Sequence, residues 1–342
     1  MNIIVTACQV PFISGGAAYH VQGLVEQLRQ RGHAVELVRF PFQFAPESAI
    51  ESLMDYVPTL DLSRPNGQPV DRVISLQFPG YGVRHPHHVV WLMHQHRAVY
   101  ELFDPATATP AQQALRARIH AYDTQTLGRA RHVFANSPRV AQRLKTFNGL
   151  SATPLSHPPP LAEAFRCEAA EPYIFYPSRL ESLKRQDLLI RAAALVRSNV
   201  GILIAGSGGQ LARYQALIDE LGLGHRVRLL GDLTEAEKLA FYARCLGVFY
   251  GPFDEDYGYV TLEAMLSAKP VITCTDSGGP CDWVVDGHTG LVVAPEPDAV
   301  ASAIDALASH GSRAAHMGQQ GRAHYMQRGV SWDATLAQLL SI

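Results

Sequence analysis

Leu246-Gly247-Val248-Phe249-Tyr250, Gly251-Pro252-Phe253-Asp254-Glu255-Asp256-Tyr257-Gly258, Tyr259-Val260-Thr261-Leu262-Glu263-Ala264-Met265-Leu266 and Pro270-Val271-Ile272-Thr273-Cys274 decide the fold. The first block is a short apolar run closed by turn residues, which reads as a buried strand. A polar loop rich in Gly, Pro and Asp follows, then a stretch with helical spacing, then a second buried strand that leads into Ser277-Gly278-Gly279-Pro280. Strand, loop, helix and strand with continuously apolar strands form the unit of a parallel sheet covered by helices. A loop that leaves a strand and opens into a helix presents free backbone N–H groups and the positive end of the helix dipole, which suits an anion.

Two carboxylates flank that helix start. Glu255 precedes it and Glu263 lies about a turn inside it, a spacing that can turn both toward one ligand. A carboxylate is a strong acceptor for vicinal sugar hydroxyls. Acids near a helix start also complement its dipole without any ligand, and spacing leaves both readings open.

Composition narrows the class. A chain of 342 residues suggests two domains of ordinary size, and 47% hydrophobic with 18% charged residues is globular rather than disordered. No apolar run approaches the roughly 18 residues of a membrane span. The start, Met1-Asn2-Ile3-Ile4-Val5, reads as a buried strand without a basic signal-peptide head. The five cysteines show no C-x-x-C pair and read as reduced core thiols, so a cytoplasmic location is expected. Residues 1–167 carry 15 Lys and Arg against 11 Asp and Glu, while residues 168–342 carry 14 against 20. The mildly basic first half would suit an anionic acceptor or peripheral contact with a membrane surface. Its basic residues form no run, and no basic-aromatic stripe points to nucleic acid. Oligomeric state is silent.

Taken in order, residues 2–7 read as a strand and Gln9–Gly16 as a loop ending in Gly15-Gly16. Ala17–Arg31 has a helical stripe of Val21, Leu24, Val25 and Leu28, and Ala34–Val38 is the next strand. This opens a parallel α/β sheet, without the G-x-G-x-x-G of a dinucleotide site. Residues 40–70 contain an amphipathic piece near Glu47–Tyr56 and receive no role. Five histidines fall between His85 and His96, but no Cys or carboxylate stands at ligand spacing, so no metal site is expected. His94 and His96 close the apolar strand there. A helix is expected over Thr109–Gly128, a short strand at His132–Ser137 and a stiff boundary at Pro154–Pro160.

In the second half Tyr173–Pro177 is a strand that runs into a loop holding Arg179 and Lys184, followed by a helix over 188–197. An Arg fork and a Lys point charge suit phosphate oxygens. Val200–Ala205 is a central strand, with Gly206-Ser207-Gly208-Gly209 the loop beside the next helix. Arg226–Gly231 is an edge-type strand followed by Asp232-Leu233, and Thr234 caps a helix. A helix is expected over Asp298–Ala308 and a last one from Ser331-Trp332-Asp333.

Glu255-x-x-Gly258-x-x-x-x-Glu263-Ala264-Met265, Lys269-Pro270-Val271-Ile272 and Gly278-Gly279 together resemble the signature of the family 4 retaining glycosyltransferases, glycosyl transferases group 1. The resemblance is nearly continuous over residues 171–342 and patchy over 1–150. It implies the GT-B fold, an α/β architecture of two Rossmann-like domains facing each other across a deep cleft. The domains would be an acceptor domain over 1–167, a nucleotide-sugar domain over 168–328, and a helix over 329–342 crossing back to the first. The implied reaction moves a hexose from a UDP- or GDP-linked donor to a glycan, lipid-linked or small-molecule acceptor with retention. It needs no cofactor and no essential metal.

The resemblance also implies roles. Arg179 and Lys184 would hold the diphosphate, Glu255 the donor-sugar hydroxyls and Glu263 the nucleotide ribose. Tyr257, Gly258 and the backbone N–H groups near Tyr259 and Val260 would support the phosphates, with Gly206 and Leu233 also in the donor site. Gly15 and Gly16 match the position near donor phosphates and acceptor, and His94 borders the reacting sugar, with His96 as second choice. Asp282 stands where the family more often has Glu. Two other readings remain: a GT-B nucleotide-sugar epimerase, which would turn over donor alone, and a non-catalytic nucleotide-sugar-binding protein of polysaccharide assembly.

Overall fold

The computed structural model describes residues 1–12 and 15–342. Ile13 and Ser14, inside the expected Gln9–Gly16 loop, lie outside the described residues. The chain divides into two compact units, Met1–His157 with Ser331–Ile342, and Pro158–Val330. Residues 158–167, which the sequence placed with the first half, therefore belong to the second unit. Their anchor is Phe165, which packs edge-on against Tyr242 in that unit's core.

The first unit holds β1 (Asn2–Gln9), α1 (Gly16–Gln30), β2 (Ala34–Pro41), α2 (Glu47–Tyr56), β3 (Arg72–Ser75), β4 (His88–Leu92), α3 (Pro110–Arg129), β5 (His132–Ala135), α4 (Pro138–Asn148) and β6 (Thr153–Pro154). The strands pair in parallel in the order β2-β1-β3-β4-β5-β6. β3 and β4 are buried at every residue, as strands covered on both faces must be. α1 buries the expected stripe of Val21, Leu24, Val25 and Leu28, with His20 added. α3 begins on a capping box in which Thr109 and Gln112 satisfy each other's backbone N–H groups. Ser137 caps α4, and Gly149 ends it in the left-handed conformation.

The second unit holds β7 (Tyr173–Pro177), α5 (Gln186–Ala193), β8 (Gly201–Ala205), α6 (Leu211–Glu220), β9 (Val227–Leu229), α7 (Glu235–Arg244), β10 (Gly247–Phe249), α8 (Tyr259–Leu266), β11 (Val271–Cys274), β12 (Gly290–Val293), α9 (Pro297–Ser309) and α10 (Gly311–Gln327). Its strands are parallel in the order β12-β11-β10-β7-β8-β9, which puts β9 at an edge. Thr234 and Glu237 form the capping box of α7. α10 has no counterpart in the sequence reading, because its buried face is built from Ala314, Gly318 and Gly321 beside Met317 and Tyr325 and carries little apolar signal.

The last helix, α11 (Trp332–Leu340), is part of the first unit. Leu336 and Leu339 enter the cluster of Val21, Leu24, Val25 and Trp91. Gly23 on α1 makes room for Trp332, since a Cβ there would lie 2.7 Å from the indole. Arg72 on β3 donates to the Leu339 carbonyl at 2.5 Å and to that of Ile342.

All five cysteines are free, and Cys245 and Cys274 are buried. Cys167 departs from the expectation of core thiols: it is exposed, in the segment before the second sheet begins. Among the described residues no helix is long and apolar enough to cross a membrane.

Candidate functional site

In the second unit the strand order turns at the β7/β10 pair: β8 and β9 lie beyond β7, β11 and β12 beyond β10. Open parallel sheets bind ligands past the carboxyl ends of their strands at such a switch. The loop after β7 carries Arg179 and Lys184, and the loop after β10 carries Glu255, so topology alone delivers these three to one rim.

The contacts there are specific. The Lys184 ammonium donates to Glu255 Oε2 and, at 3.4 Å, to the Tyr250 hydroxyl. Both members of the ion pair keep only 16% of their side-chain surface exposed. Burial and the Glu255 charge push the Tyr250 phenol well above its ordinary value, which keeps it a neutral donor and acceptor. Arg179 is exposed, and its guanidinium has no partner among the described residues; its carbonyl accepts from Gln186 Nε2 at 2.8 Å and from the Glu181 N–H at 3.0 Å.

Glu255 is set by its backbone. Its N–H donates to the Ser277 carbonyl at 2.9 Å, and its carbonyl accepts from Gly279 N–H at 2.7 Å. A Cβ on Gly278 would stand 2.6 Å from the Glu255 oxygen, so that close approach needs glycine. The Gly278-Gly279 pair of the sequence thereby positions the carboxylate.

Arg185, which the sequence reading passed over, joins the two loops. Its guanidinium grips Asp276 in a fork at 2.7 and 2.8 Å and also donates to the carbonyls of Gly251 at 2.8 Å and Pro252 at 2.9 Å. Its backbone is left-handed at φ 53, where Cβ crowding costs about 1–2 kcal/mol. That turn starts α5 at Gln186 rather than at 188. The Phe253 N–H donates to the Leu183 carbonyl at 2.7 Å, a second tie between the loops.

Gly206 and Gly208 hold the Arg179 loop from the other side. Their φ values are 125 and 155, and a Cβ on them would lie 2.3 Å from the Ser178 oxygen and 2.5 Å from the Leu180 oxygen. Leu233 is half-buried and packs on the edge of the second unit's core.

Gly258 caps α8 with φ 81, and Tyr257 and Tyr259 meet edge to face with centroids 5.2 Å apart. The first N–H groups of a helix lack intrahelical acceptors, which leaves those at Tyr259 and Val260 suited to an anion. Glu263, in the same helix, is only 5% exposed. Lys238 Nζ donates to its Oε1 at 2.7 Å and the Tyr242 hydroxyl to its Oε2 at 2.6 Å. Lys238 and Tyr242 stand four apart on one face of α7. The two carboxylates are thus held by different donors, and each oxygen of Glu263 keeps a lone pair for a further hydrogen bond.

In the first unit Gly15 precedes α1 and its carbonyl accepts from Ala18 N–H at 2.9 Å, while Gly16 is the first helical residue. His94 is half-buried after β4, its Nδ1 2.7 Å from the Gln95 carbonyl. The turn it sits on is anchored inward. Gln95 bonds to Asn148, whose Nδ2 lies 3.4 Å from the Tyr100 hydroxyl, and Tyr100 and Tyr81 donate to Asp123 at 2.6 and 2.5 Å. Burial pushes the Asp123 carboxyl up to about 7 against the pull of those hydroxyls. The histidines of the 85–96 stretch scatter. His88 bonds to Ser75 Oγ at 2.7 Å, His85 to the Val70 carbonyl at 3.1 Å, and His96 packs among Phe42, Phe44 and Phe78. Among the described residues no three His, Cys, Asp or Glu side chains are grouped to hold a metal ion.

Residues 163–324, all within the second unit, match the family model described as Glycosyl transferases group 1. The chain is 32% identical over 243 residues to D-inositol 3-phosphate glycosyltransferase of Nocardia farcinica, which covers 64% of this chain and 53% of that protein. It is 34% identical over 185 residues to the GDP-mannose-dependent alpha-(1-6)-phosphatidylinositol monomannoside mannosyltransferase of Mycolicibacterium smegmatis, covering 50% of this chain and 48% of that one. The chain thus spans about half the length of these curated relatives. Sucrose-phosphate synthase from Thermosynechococcus elongatus superposes with a TM-score of 0.80 at 18% identity, over 99% of this chain and 97% of that one. That likeness shows the fold: the two six-stranded parallel sheets with their flanking helices are those of the GT-B architecture.

Proposed function

We propose that the protein is a glycosyltransferase that moves a hexose from a UDP- or GDP-linked donor to a hydroxyl of a glycan, lipid-linked or small-molecule acceptor. In this reading the anomeric configuration is retained and no metal is required. The observation that carries it is the Lys184–Glu255 pair at the β7/β10 switch, with the unpartnered Arg179 on the same loop.

The chemistry follows from those groups. The bond from the anomeric carbon to the diphosphate oxygen breaks, and its electron pair leaves with the nucleoside diphosphate. Arg179 and Lys184 take up the growing negative charge, the part a metal plays in other phosphate-leaving reactions. The acceptor oxygen bonds to the anomeric carbon on the face the diphosphate departs from, and its proton passes to a departing phosphate oxygen. When the diphosphate draws Lys184 away, Glu255 is released to accept hydrogen bonds from donor-sugar hydroxyls. Glu263, held still by Lys238 and Tyr242, keeps lone pairs for the ribose. The N-terminus of α8 supplies backbone donors to the phosphates. The roles the resemblance gives to His94, Gly15 and Gly16 belong to the same reading and are open to substitution. The names of the two curated relatives, both sugar transferases, support the reaction class.

The test is calorimetric binding of UDP, GDP, ADP and TDP in chelator, followed by the same titration on Arg179→Ala with Lys184→Ala. A ligand at 100 times its dissociation constant stabilises a fold by about 2.7 kcal/mol, so a preferred nucleotide stands out in melting as well. One nucleotide should win, and the double substitution should abolish its binding. Undiminished affinity in the double variant overturns the assignment.

A further inference from the structure

The segment between β2 and α3 leaves a cavity of about 270 Å³ in the first unit, lined among others by Phe44, Ile50, His96, Val99, Phe103 and Leu115. That volume lies just under the roughly 300–1,000 Å³ of drug-sized sites, so it takes one ring system and not a lipid tail or a run of sugars. Its aromatic and aliphatic side chains share the lining with Glu47, Asp104, Thr107 and Gln112, so the walls are mixed. The His96 ring stacks on Phe44 with centroids 6.3 Å apart, and Phe42 and Phe78 back it from behind at 5.8 and 5.4 Å.

Two polar groups on the lining have no side-chain partner among the described residues: the His96 imidazole and the Glu47 carboxylate. Burial, with His94 nearby, lowers the His96 pKa to about 4, so at neutral pH its ring offers one N–H donor and one acceptor nitrogen. Glu47 accepts only. The other acid on the lining, Asp104, is occupied by the Ala106 N–H at 2.9 Å and the Thr107 hydroxyl at 2.9 Å. No Lys or Arg is among the described lining residues. An anion would meet two carboxylates, and the Arg116 guanidinium beside the lining is already engaged by the Val99 carbonyl at 3.0 Å and the Phe103 ring at 4.8 Å, so anion binding costs more than it returns.

We infer that this cavity binds an uncharged, hydroxyl-bearing ring, with an apolar face against Phe44 and its hydroxyl shared between His96 and Glu47. The inference rests on the transferase reading in one respect, that this ring is the acceptor or the end of it that is read for identity. On that view the chain departs from a relative named for inositol 3-phosphate, whose phosphate this cavity would refuse.

The experiment titrates the full chain with 2-naphthol as the probe, and in parallel with 2-methoxynaphthalene, 2-naphthoate and D-myo-inositol 3-phosphate. Ala98→Trp, at an exposed lining position, plugs the cavity without disturbing the core. Nucleoside-diphosphate affinity is measured on the same samples, so a failure of the transferase reading shows separately from a failure here. 2-Naphthol should bind at a single saturable site, and 2-methoxynaphthalene, which cannot donate to Glu47, should bind about tenfold more weakly. The two anions should give no heat, and Ala98→Trp should remove the 2-naphthol site while leaving nucleotide affinity intact. Binding of 2-naphthol that survives Ala98→Trp, or an anion binding as well as 2-naphthol, overturns the inference.

Discussion

The carboxyl rims of the two sheets are built from opposite materials. In the second unit the rim is ionic: Lys184 against Glu255, Arg185 forked on Asp276, Lys238 against Glu263. In the first it is largely aromatic, with His96 among three phenylalanines and Tyr81 and Tyr100 on Asp123, and its charges, Arg97 and Arg143 on Glu101, are largely buried against each other. The ionic rim suits a ligand whose charge is fixed, since rigid opposite charges stabilise a diphosphate without reorganising. The aromatic rim, its charges paired among themselves, suits a ligand recognised by shape.

The contrast can be broken at its strongest point first. On the proposed reading, Lys184→Ala removes a charge that meets the leaving diphosphate, and it leaves Glu255 without its Lys184 partner. Steady-state turnover should fall by roughly 10²–10³, as when one preorganised donor is removed from other active sites. Glu255→Ala in the same background should cost little more, because the two act as a unit. Additive losses in the double variant would mean that the pair is not one working element.

Acid should sharpen the contrast next. Burial lowers the pKa of His20, His88, His96 and His157, all in the first unit, to about 4 for His88 and His96 and about 3 for His157. A lowered imidazole contributes stability that is present above its unfolded value of 6.5 and is lost as pH falls below it. Asp123 runs the other way: raised from 3.8 to about 7, it contributes stability below 3.8 that is lost as pH rises toward 7. With the downward shifts of His33 and His120, these imidazoles outnumber Asp123, so acidification from about pH 7.5 to 5.5 destabilises the first unit, each proton taken up contributing about 1.4 kcal/mol per pH unit. The shifted groups of the second unit are mostly buried tyrosines and thiols, which stay neutral throughout that range. Limited proteolysis at about pH 5.5 should therefore cut within residues 1–157 well before 158–330. Equal rates would show that the imidazoles are not buried as described.

The smallest effect concerns Arg185. Arg185→Gly suits the left-handed backbone and removes only the four-way grip on the 251–276 loops. Melting should move little, while turnover falls about tenfold with nucleotide affinity nearly unchanged, the mark of lost positioning rather than lost binding. A fall in stability without a fall in turnover would make Arg185 a structural residue only.

The two rims also differ in how far they can be read from sequence. Glu255, Gly258, Glu263 and Gly278-Gly279 sit close together in the chain, so spacing carries their geometry, and the apolar strands around them fix a parallel sheet. Arg185 and Asp276 are 91 residues apart, and Lys238 and Glu263 25. Nothing in either local pattern announces such a partner. The Arg185 turn could have been suspected only from the loop it begins. Residues 40–70, given no role from sequence, contribute Phe44, Glu47 and Ile50 to the cavity. Their meeting with His96, Phe103 and Leu115 depends on how α2 and α3 pack, which periodicity does not specify.

The place of α11 has a consequence in time. The first unit's core needs Leu336 and Leu339, and Trp332 fills the space left by Gly23, yet all of residues 158–330 come before them in the chain. At about 5–20 residues per second of synthesis, the first sheet waits on the order of ten seconds or more for its last piece. Through that interval the groove beside Gly23 on α1 is open, and the second unit, made from one uninterrupted stretch, is free to finish first. The half of the molecule that is begun first is therefore the half that is completed last.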